Sequence, residues 1–415
     1  MTASPAPQFS DAPERRAGIP FPEFVALSAA IIALGALGID MMLPALPQIG
    51  TRLGAGSPAD WPLVITAFVL GFGIAQPIHG PLADRFGRRP VLITAIALYA
   101  LTNLVATASG SFALLLVARF IGGLGIAGSR TVSVAMVRDL HAGRAMAKVM
   151  SLIFMTFMAV PILAPAIGQL VLFVGSWRLI FGVIAALSAI VLGWFVWRMP
   201  ETLHAAARQP LDPAIIAANW RTTLTDRYSL GYTLAATALQ GALYGYINSI
   251  QAIVDRVFGQ PRMVAAVFAG AAILLAGANF LNSRIVMRFG TRRISQTAVV
   301  LIITTAVVAL GVEATGYESL ATFTLLQGLT LACFGLSGSN FSSMAMERMG
   351  SIAGTASSVQ GFISVTGGAL LGALVGRAFD GTTTPLHLAF AISGALALAI
   401  VAVVERGKLF TPTVQ

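Results

Sequence analysis

Long apolar stretches alternate with short polar connectors along nearly the whole chain. Apolar runs lie near 24–46, 61–82, 91–109, 112–137, 147–172 and 178–198, a polar stretch follows at Met199–Arg227, and a second set runs near 229–254, 262–287, 294–313, 319–345, 353–377 and 386–404. Each run is close to the ~20 apolar residues that a helix needs to cross a ~30 Å hydrocarbon core. Helix is the expected form, because backbone groups in lipid must be satisfied within the segment. The pattern predicts an all-α membrane protein with twelve spans. Its expected divisions are a leader at 1–20, a first six-helix half at 21–198, a linker at 199–227, a second half at 228–405 and a tail at 406–415.

Composition sharpens this reading. Hydrophobic residues make up 57% of the chain and charged residues 10%. A soluble domain carries roughly a quarter charged residues, so this chain cannot cover its own surface in water. The first run is not a cleaved signal: it follows a polar leader, exceeds an h-region in length and contains Asp40. The Pro- and Ala-rich leader is expected to be disordered. Cys333 stands alone, which excludes an intrachain disulfide.

The net charge of +10 could point to nucleic acid, but its distribution argues against that. Basic residues cluster in alternate connectors: Arg85, Arg88 and Arg89; Arg138, Arg144 and Lys148; Arg198, Arg208, Arg221 and Arg227; Arg284, Arg288, Arg292 and Arg293. The other connectors hold only Arg52, Arg178, Arg256, Arg262 and Arg377. That asymmetry is a topology signal, with the basic side cytoplasmic. It predicts an inner-membrane protein with both termini inside, in contact with the lipid bilayer and not with nucleic acid, and working as a monomer.

The charges left inside the spans are few. Asp40 lies in Gly38-Ile-Asp40-Met-Met-Leu43-Pro44-Ala-Leu-Pro47. A carboxylate in a span can hold a proton in one state and release it in another, according to its burial and its neighbours. Arg119 sits about seven residues into a span, some 10 Å deep at 1.5 Å per residue. An ionisable group there is functional by default. Arg130, eleven residues on, falls within about 20° of Arg119 on an ideal helix. With Gly122, Gly123 and Ile126 it predicts one stripe facing a cavity. The seventh span carries Thr233, Thr237, Gln240, Tyr244, Asn248 and Gln251 on one arc, and the tenth carries Gln327 and Asn340. Such groups must face protein or water, so Arg130, Gln240, Tyr244, Asn248, Gln327 and Asn340 are expected to line a substrate cavity.

Three further stretches carry a family likeness. The connector Gly80-Pro-Leu-Ala-Asp84-Arg85-Phe-Gly87-Arg88-Arg89-Pro90 is partly repeated, about half the chain later, as Phe289-Gly290-Thr291-Arg292. The fourth span reads Arg119-Phe-Ile-Gly122-Gly123-Leu-Gly125 and closes on Val137-Arg138-Asp139-Leu140. The fifth holds Pro161-Ile-Leu-Ala164-Pro165-Ala166-Ile-Gly168-Gln169. With Asp40 and its two prolines, these resemble the major facilitator superfamily, and within it the drug/proton antiporters of the Bcr/CflA type. The chain departs from that pattern at Gly122, where relatives often carry Gln, and at Gln169, where they usually carry Gly.

The resemblance implies two six-helix halves related as a parallel repeat. It implies a latch built from Gly80, Asp84, Arg85, Gly87, Arg88, Arg138 and Asp139. Met287 stands where the second copy would need an acid, so the latch is expected on one side only. Asp40 and Arg119 would couple protons, and Pro161, Pro165 and Gly168 would form the antiporter motif of the fifth span. The glycines at 368, 372 and 376 would pack the eleventh span on the second. The implied activity is proton-driven export of small amphipathic compounds such as antibiotics. The runner-up is an exporter of amino acids or organic acids, since two arginines would suit an anion. The four histidines show no ligand spacing, and a phosphate-binding loop is missing. No metal, cofactor or enzymatic activity is therefore expected.

Overall fold

A computed structural model describes residues 19–141, 143–208 and 211–410. Most of the leader and the last five residues of the tail lie outside these, as do the side chains of Arg144 and Lys148. Among the described residues twelve long helices follow one another: α1 Phe21–Arg52, α2 Pro58–Phe86, α3 Arg88–Ala108, α4 Phe112–Leu140, α5 Gly143–Val174, α6 Trp177–Arg198, α7 Arg227–Ala252, α8 Pro261–Phe289, α9 Thr291–Ala314, α10 Leu320–Met346, α11 Ala353–Arg377 and α12 Thr384–Val404. Ten of them are long and apolar enough to cross a membrane. The other two are α5, whose described apolar stretch is Ala159–Val174, and α7, which carries the polar residues noted above.

Local chemistry sets the ends. Ser111 and Ser319 accept hydrogen bonds from Leu114 N and Thr322 N at the starts of α4 and α10, and Asp226 does the same for Ser229 N at the start of α7. Each satisfies an orphan donor of a first turn. Gly87 and Gly290 end α2 and α8 at φ 104° and 79°, where a side chain would be strained. The expected polar linker contains a helix of its own, Pro213–Thr225, capped by Asp212. Its Trp220 packs on Phe362 of α11 at 6.1 Å.

Helices α1–α6 pack mainly on one another, as do α7–α12. The two sets meet along two seams, α2 against α11 and α5 against α8. We call the end where α6 and α12 finish the linker end, and the opposite one the far end. At the far end the sets are tied by Arg377–Asp60 at 3.1 Å, by Gln169 Nε2 to the Arg262 carbonyl at 3.1 Å, and by Asn248 Nδ2 to Thr66 Oγ1 at 3.5 Å. Arg256 also stacks on Trp61.

The glycine stripe of α11 corrects one expectation. Side chains added at Gly368, Gly372 and Gly376 would meet Gln240, Tyr244 and Asn248 of α7, not α2. The close approach of α2 to α11 uses other glycines: Gly73 lies against Thr366, and Gly361 against Gln76. Small residues at four-residue spacing let two helix backbones touch, but spacing alone names no partner.

Candidate functional site

The fourth helix, Phe112–Leu140, carries its two arginines at different depths. Around Arg119 it is pressed tightly into its neighbours. A side chain at Gly123 would overlap the Phe68 carbonyl of α2, and one at Gly122 would crowd Thr102 of α3. Ile126 is buried. The stripe expected to face a cavity therefore faces α2 and α3 over these residues. The helix continues through Ala127, whose φ of −54° and ψ of −32° are helical and whose N–H donates to the Gly123 carbonyl at 3.1 Å, so the face is shared but its neighbours change along it.

Arg119 is 2% exposed. Its Nη2 donates to the Gly38 carbonyl at 2.5 Å and its Nε to the Val64 carbonyl at 3.3 Å. Its guanidinium lies over the Phe68 ring at 4.2 Å. Tyr99 completes this knot by donating to the Leu34 carbonyl at 3.1 Å. The reason for the knot lies in α1. Pro44 has no N–H to donate to the Asp40 carbonyl, so the helix stops at Asp40. Gly38 then belongs to the last turn, whose carbonyls need outside donors, and Arg119 supplies one.

Asp40 is buried at the end of that helix segment. It forms no ion pair with Arg119, and among the described residues it has no hydrogen-bond donor. It lies instead within electrostatic reach of Tyr244 and Tyr246 of α7. Arg130 acts on Tyr244 as well. Arg130 has an exposed side chain although Ser129 and Val132 beside it are buried, and it lies within electrostatic reach of Tyr244, which places it in a solvent-reached space facing α7. Tyr244 and Gln240 are half-buried beside one another in the same wall. Asp40 at the end of the first segment of α1 and Arg130 of α4 thus each lie within electrostatic reach of Tyr244 on α7.

The remaining cavity candidates divide. Asn248 is buried at the far-end seam, bound to Thr66, with its Oδ1 unpartnered. Asn340 donates to Asn282 Oδ1 at 2.9 Å and so ties α10 to α8. Gln327 is buried with its Nε2 unpartnered. Thr233 and Thr237 turn back onto the Ser229 and Thr233 carbonyls of their own helix. In α5 both Pro161 and Pro165 lie within one continuous helix. A side chain at Gly168 would overlap the Met41 carbonyl, which makes this the closest approach of α5 to α1. Gln169, the departure from the family pattern, reaches α8 across the seam.

The α2–α3 connector organises a charge cluster at the linker end. Arg88 is buried, pairing with Asp84 at 2.6 Å and with Asp139 at 3.1 Å. Glu201 accepts from the backbone N–H groups of Arg88 and Arg89 at 2.9 and 3.2 Å. A side chain at Gly87 would overlap the same carboxylate. Arg85 and Arg138 are exposed and stand outside the cluster, and Gly80 faces Thr131 of α4. The one-sided latch needs correcting. Met287 is exposed and takes no part, but Arg292 pairs with Glu405 at 2.9 Å, and Tyr232 donates to the same carboxylate. The second copy obtains its acid from the end of α12 instead of the end of α8.

A family model described as Major Facilitator Superfamily matches residues 28–373. The chain belongs to the Major Facilitator Superfamily. Members are membrane transporters, and this superfamily member is a multi-pass membrane protein. It is 30% identical over 373 residues to a bicyclomycin resistance protein homolog of Haemophilus influenzae, covering 86% of this chain and 91% of that one. It is 29% identical to the multidrug resistance protein MdtL of Klebsiella pneumoniae, covering 85% and 89%. Among solved structures it is similar to the POT family transporter PepTSo, with a TM-score of 0.75 at 15% identity over 94% of this chain and 98% of that one. A D-xylose-proton symporter gives 0.70 at 15% identity over 94% and 98%. At such identities these two share the superfamily fold alone.

Glu201 and Glu405 are the residues that the sequence reading missed. Each follows the last helix of its set, three residues past α6 and one past α12. Their repeated position after α6 and α12 was the available signal.

Proposed function

We propose that this chain is a proton-coupled exporter of small amphipathic compounds, with the reach of a multidrug efflux transporter, working by alternating access. The observation that carries the reading is the meeting of Asp40, Tyr244 and Arg130 in the space between the two sets of helices. Asp40 is a buried carboxylate without a cation. Such a group is costly in the ionised form unless a partner or water reaches it. It can therefore bind a proton in one state and exchange it for substrate in another. The names borne by the relatives, bicyclomycin resistance and multidrug resistance, support export of antibiotics. The asymmetry of Lys and Arg supports an inner-membrane location with the linker end and both termini cytoplasmic. In that orientation the Asp60–Arg377 and Gln169–Arg262 contacts close the outer mouth, and Arg130 faces a cavity entered from the cytoplasm. The units 21–198 and 228–405 rock about the two seams.

The test uses proteoliposomes with an imposed pH gradient, acidic inside, and transporters inserted inside-out. The wild type is expected to accumulate an amphipathic dye against its gradient. Asp40→Asn should still exchange labelled for unlabelled dye at equilibrium but lose gradient-driven accumulation. Full pH-driven accumulation by Asp40→Asn would remove the coupling role. A susceptibility panel in a strain lacking its own exporters tests the drug assignment, and a profile identical to the empty vector across all antibiotics would sink it.

A further inference from the structure

The unused cation in the cavity says what the substrate carries. Arg130 lies ten residues before the linker end of α4, some 15 Å along the helix at 1.5 Å per residue. It is exposed to an internal space, and among the described residues no carboxylate pairs with it. Its electrostatic neighbour is the Tyr244 hydroxyl. Arg119 offers nothing to a ligand, because carbonyls and an aromatic ring enclose it. A lone cation at membrane depth is costly. A ligand that brings an anionic group relieves that cost, and a permanently cationic one adds to it. The guanidinium fork matches a carboxylate with two parallel hydrogen bonds.

We infer that this cavity takes amphipathic compounds bearing a carboxylate, held on Arg130. The inference rests on the exporter reading above and narrows its substrate class. Tyr244, half-buried beside Gln240 on α7, supplies a hydroxyl within electrostatic reach of Arg130.

The experiment measures gradient-driven uptake into proteoliposomes for three matched pairs: ciprofloxacin, dansyl-glycine and rhodamine B, each against its methyl ester, with empty liposomes subtracted. The wild type is expected to move the acids at least about tenfold faster than the esters, the size of one charge-assisted hydrogen bond. Arg130→Gln should lower uptake of the acids about tenfold and leave the esters within about twofold. Arg130→Lys should restore part of the acid uptake. Equal amounts of monodisperse protein in each preparation separate this from misfolding. Transport of esters or cationic dyes without acids by the wild type would overturn the inference and leave the exporter reading standing. An equal fall of acids and esters in Arg130→Gln would overturn it too. No uptake of any compound would overturn the exporter reading itself.

Discussion

Arg119 and Arg130 occupy one helix, eleven residues apart, and ideal geometry puts them on one face. The structure gives them opposite surroundings. Arg119 is enclosed by the Gly38 and Val64 carbonyls and the Phe68 ring. Arg130, three turns on, is exposed and, among the described residues, pairs with no carboxylate. A membrane-embedded charge is therefore not functional in a single sense. One arginine closes the broken end of α1 and so fixes where Asp40 sits. The proposal above leaves the other for a ligand. On that proposal the first acts on folding and on the placement of the acid, the second on affinity.

The largest effect that tests this contrast is at Arg119. Arg119→Met keeps most of the volume but leaves the Gly38 and Val64 carbonyls without their donor. Each unsatisfied buried group costs about 1–3 kcal/mol, so a loss of about 2–6 kcal/mol is expected. It should appear as a lower melting temperature in detergent and less monodisperse protein. Arg130→Gln should leave both unchanged. If Arg119→Met folds as well as the wild type and loses only transport, the two arginines belong to one functional stripe after all.

How far the sequence speaks depends on the scale of the signal. Spans are set by bilayer thickness, a constraint on some twenty residues at once, so their positions are legible: 353–377 was expected, and Ala353–Arg377 is found. The pairing of Arg88 with Asp84 and Asp139 follows from a dense local motif. The neighbour of the α4 stripe has no such support. Nothing in Gly122–Ile126 states which helix lies against it, and an open cavity was the natural extrapolation. The partner of the glycine stripe was equally hidden. Small residues state that something approaches closely, while its identity is a matter of tertiary packing. Asn340 shows the same limit: its polarity required a partner, and Asn282 of α8 meets that requirement as well as a ligand would.

An intermediate effect is expected where α4 and α5 touch backbone. Gly123→Ala and Gly168→Ala place a methyl group into the Phe68 and Met41 carbonyls respectively. Overpacking of this kind costs about 1–3 kcal/mol. The two should differ in what they disturb. Gly123→Ala displaces α2 beside the Arg119 knot and should lower the melting temperature. Gly168→Ala presses on Met41, next to Asp40, so it should also shift the pH profile of transport. A Gly168→Ala protein with lowered stability and an unchanged pH profile would separate the fifth-helix motif from proton coupling.

The smallest effect completes the comparison with a third arginine. Arg377 pairs with Asp60 across the two sets of helices at 3.1 Å, but its side chain is 57% exposed. Exposed pairs contribute about 0.2–1 kcal/mol and are screened by salt. Asp60→Asn should therefore leave the melting temperature within error, unlike Arg119→Met. Its effect belongs to the equilibrium between states, because the pair exists only while the far end is closed. A loss of up to about 1 kcal/mol there moves the open-to-closed ratio by up to about fivefold. Labelling of a cysteine placed at Ser249, in the cleft beneath the pair, should rise by that factor in Asp60→Asn, and in the wild type at high salt. The double exchange Asp60→Arg with Arg377→Asp should return labelling to the wild-type level. If labelling in Asp60→Asn stays at the wild-type level at every salt concentration, the far end is held by Gln169 and Asn248 and not by charge. The working rule would then be that an arginine matters here in proportion to its burial, whether or not it has an acidic partner.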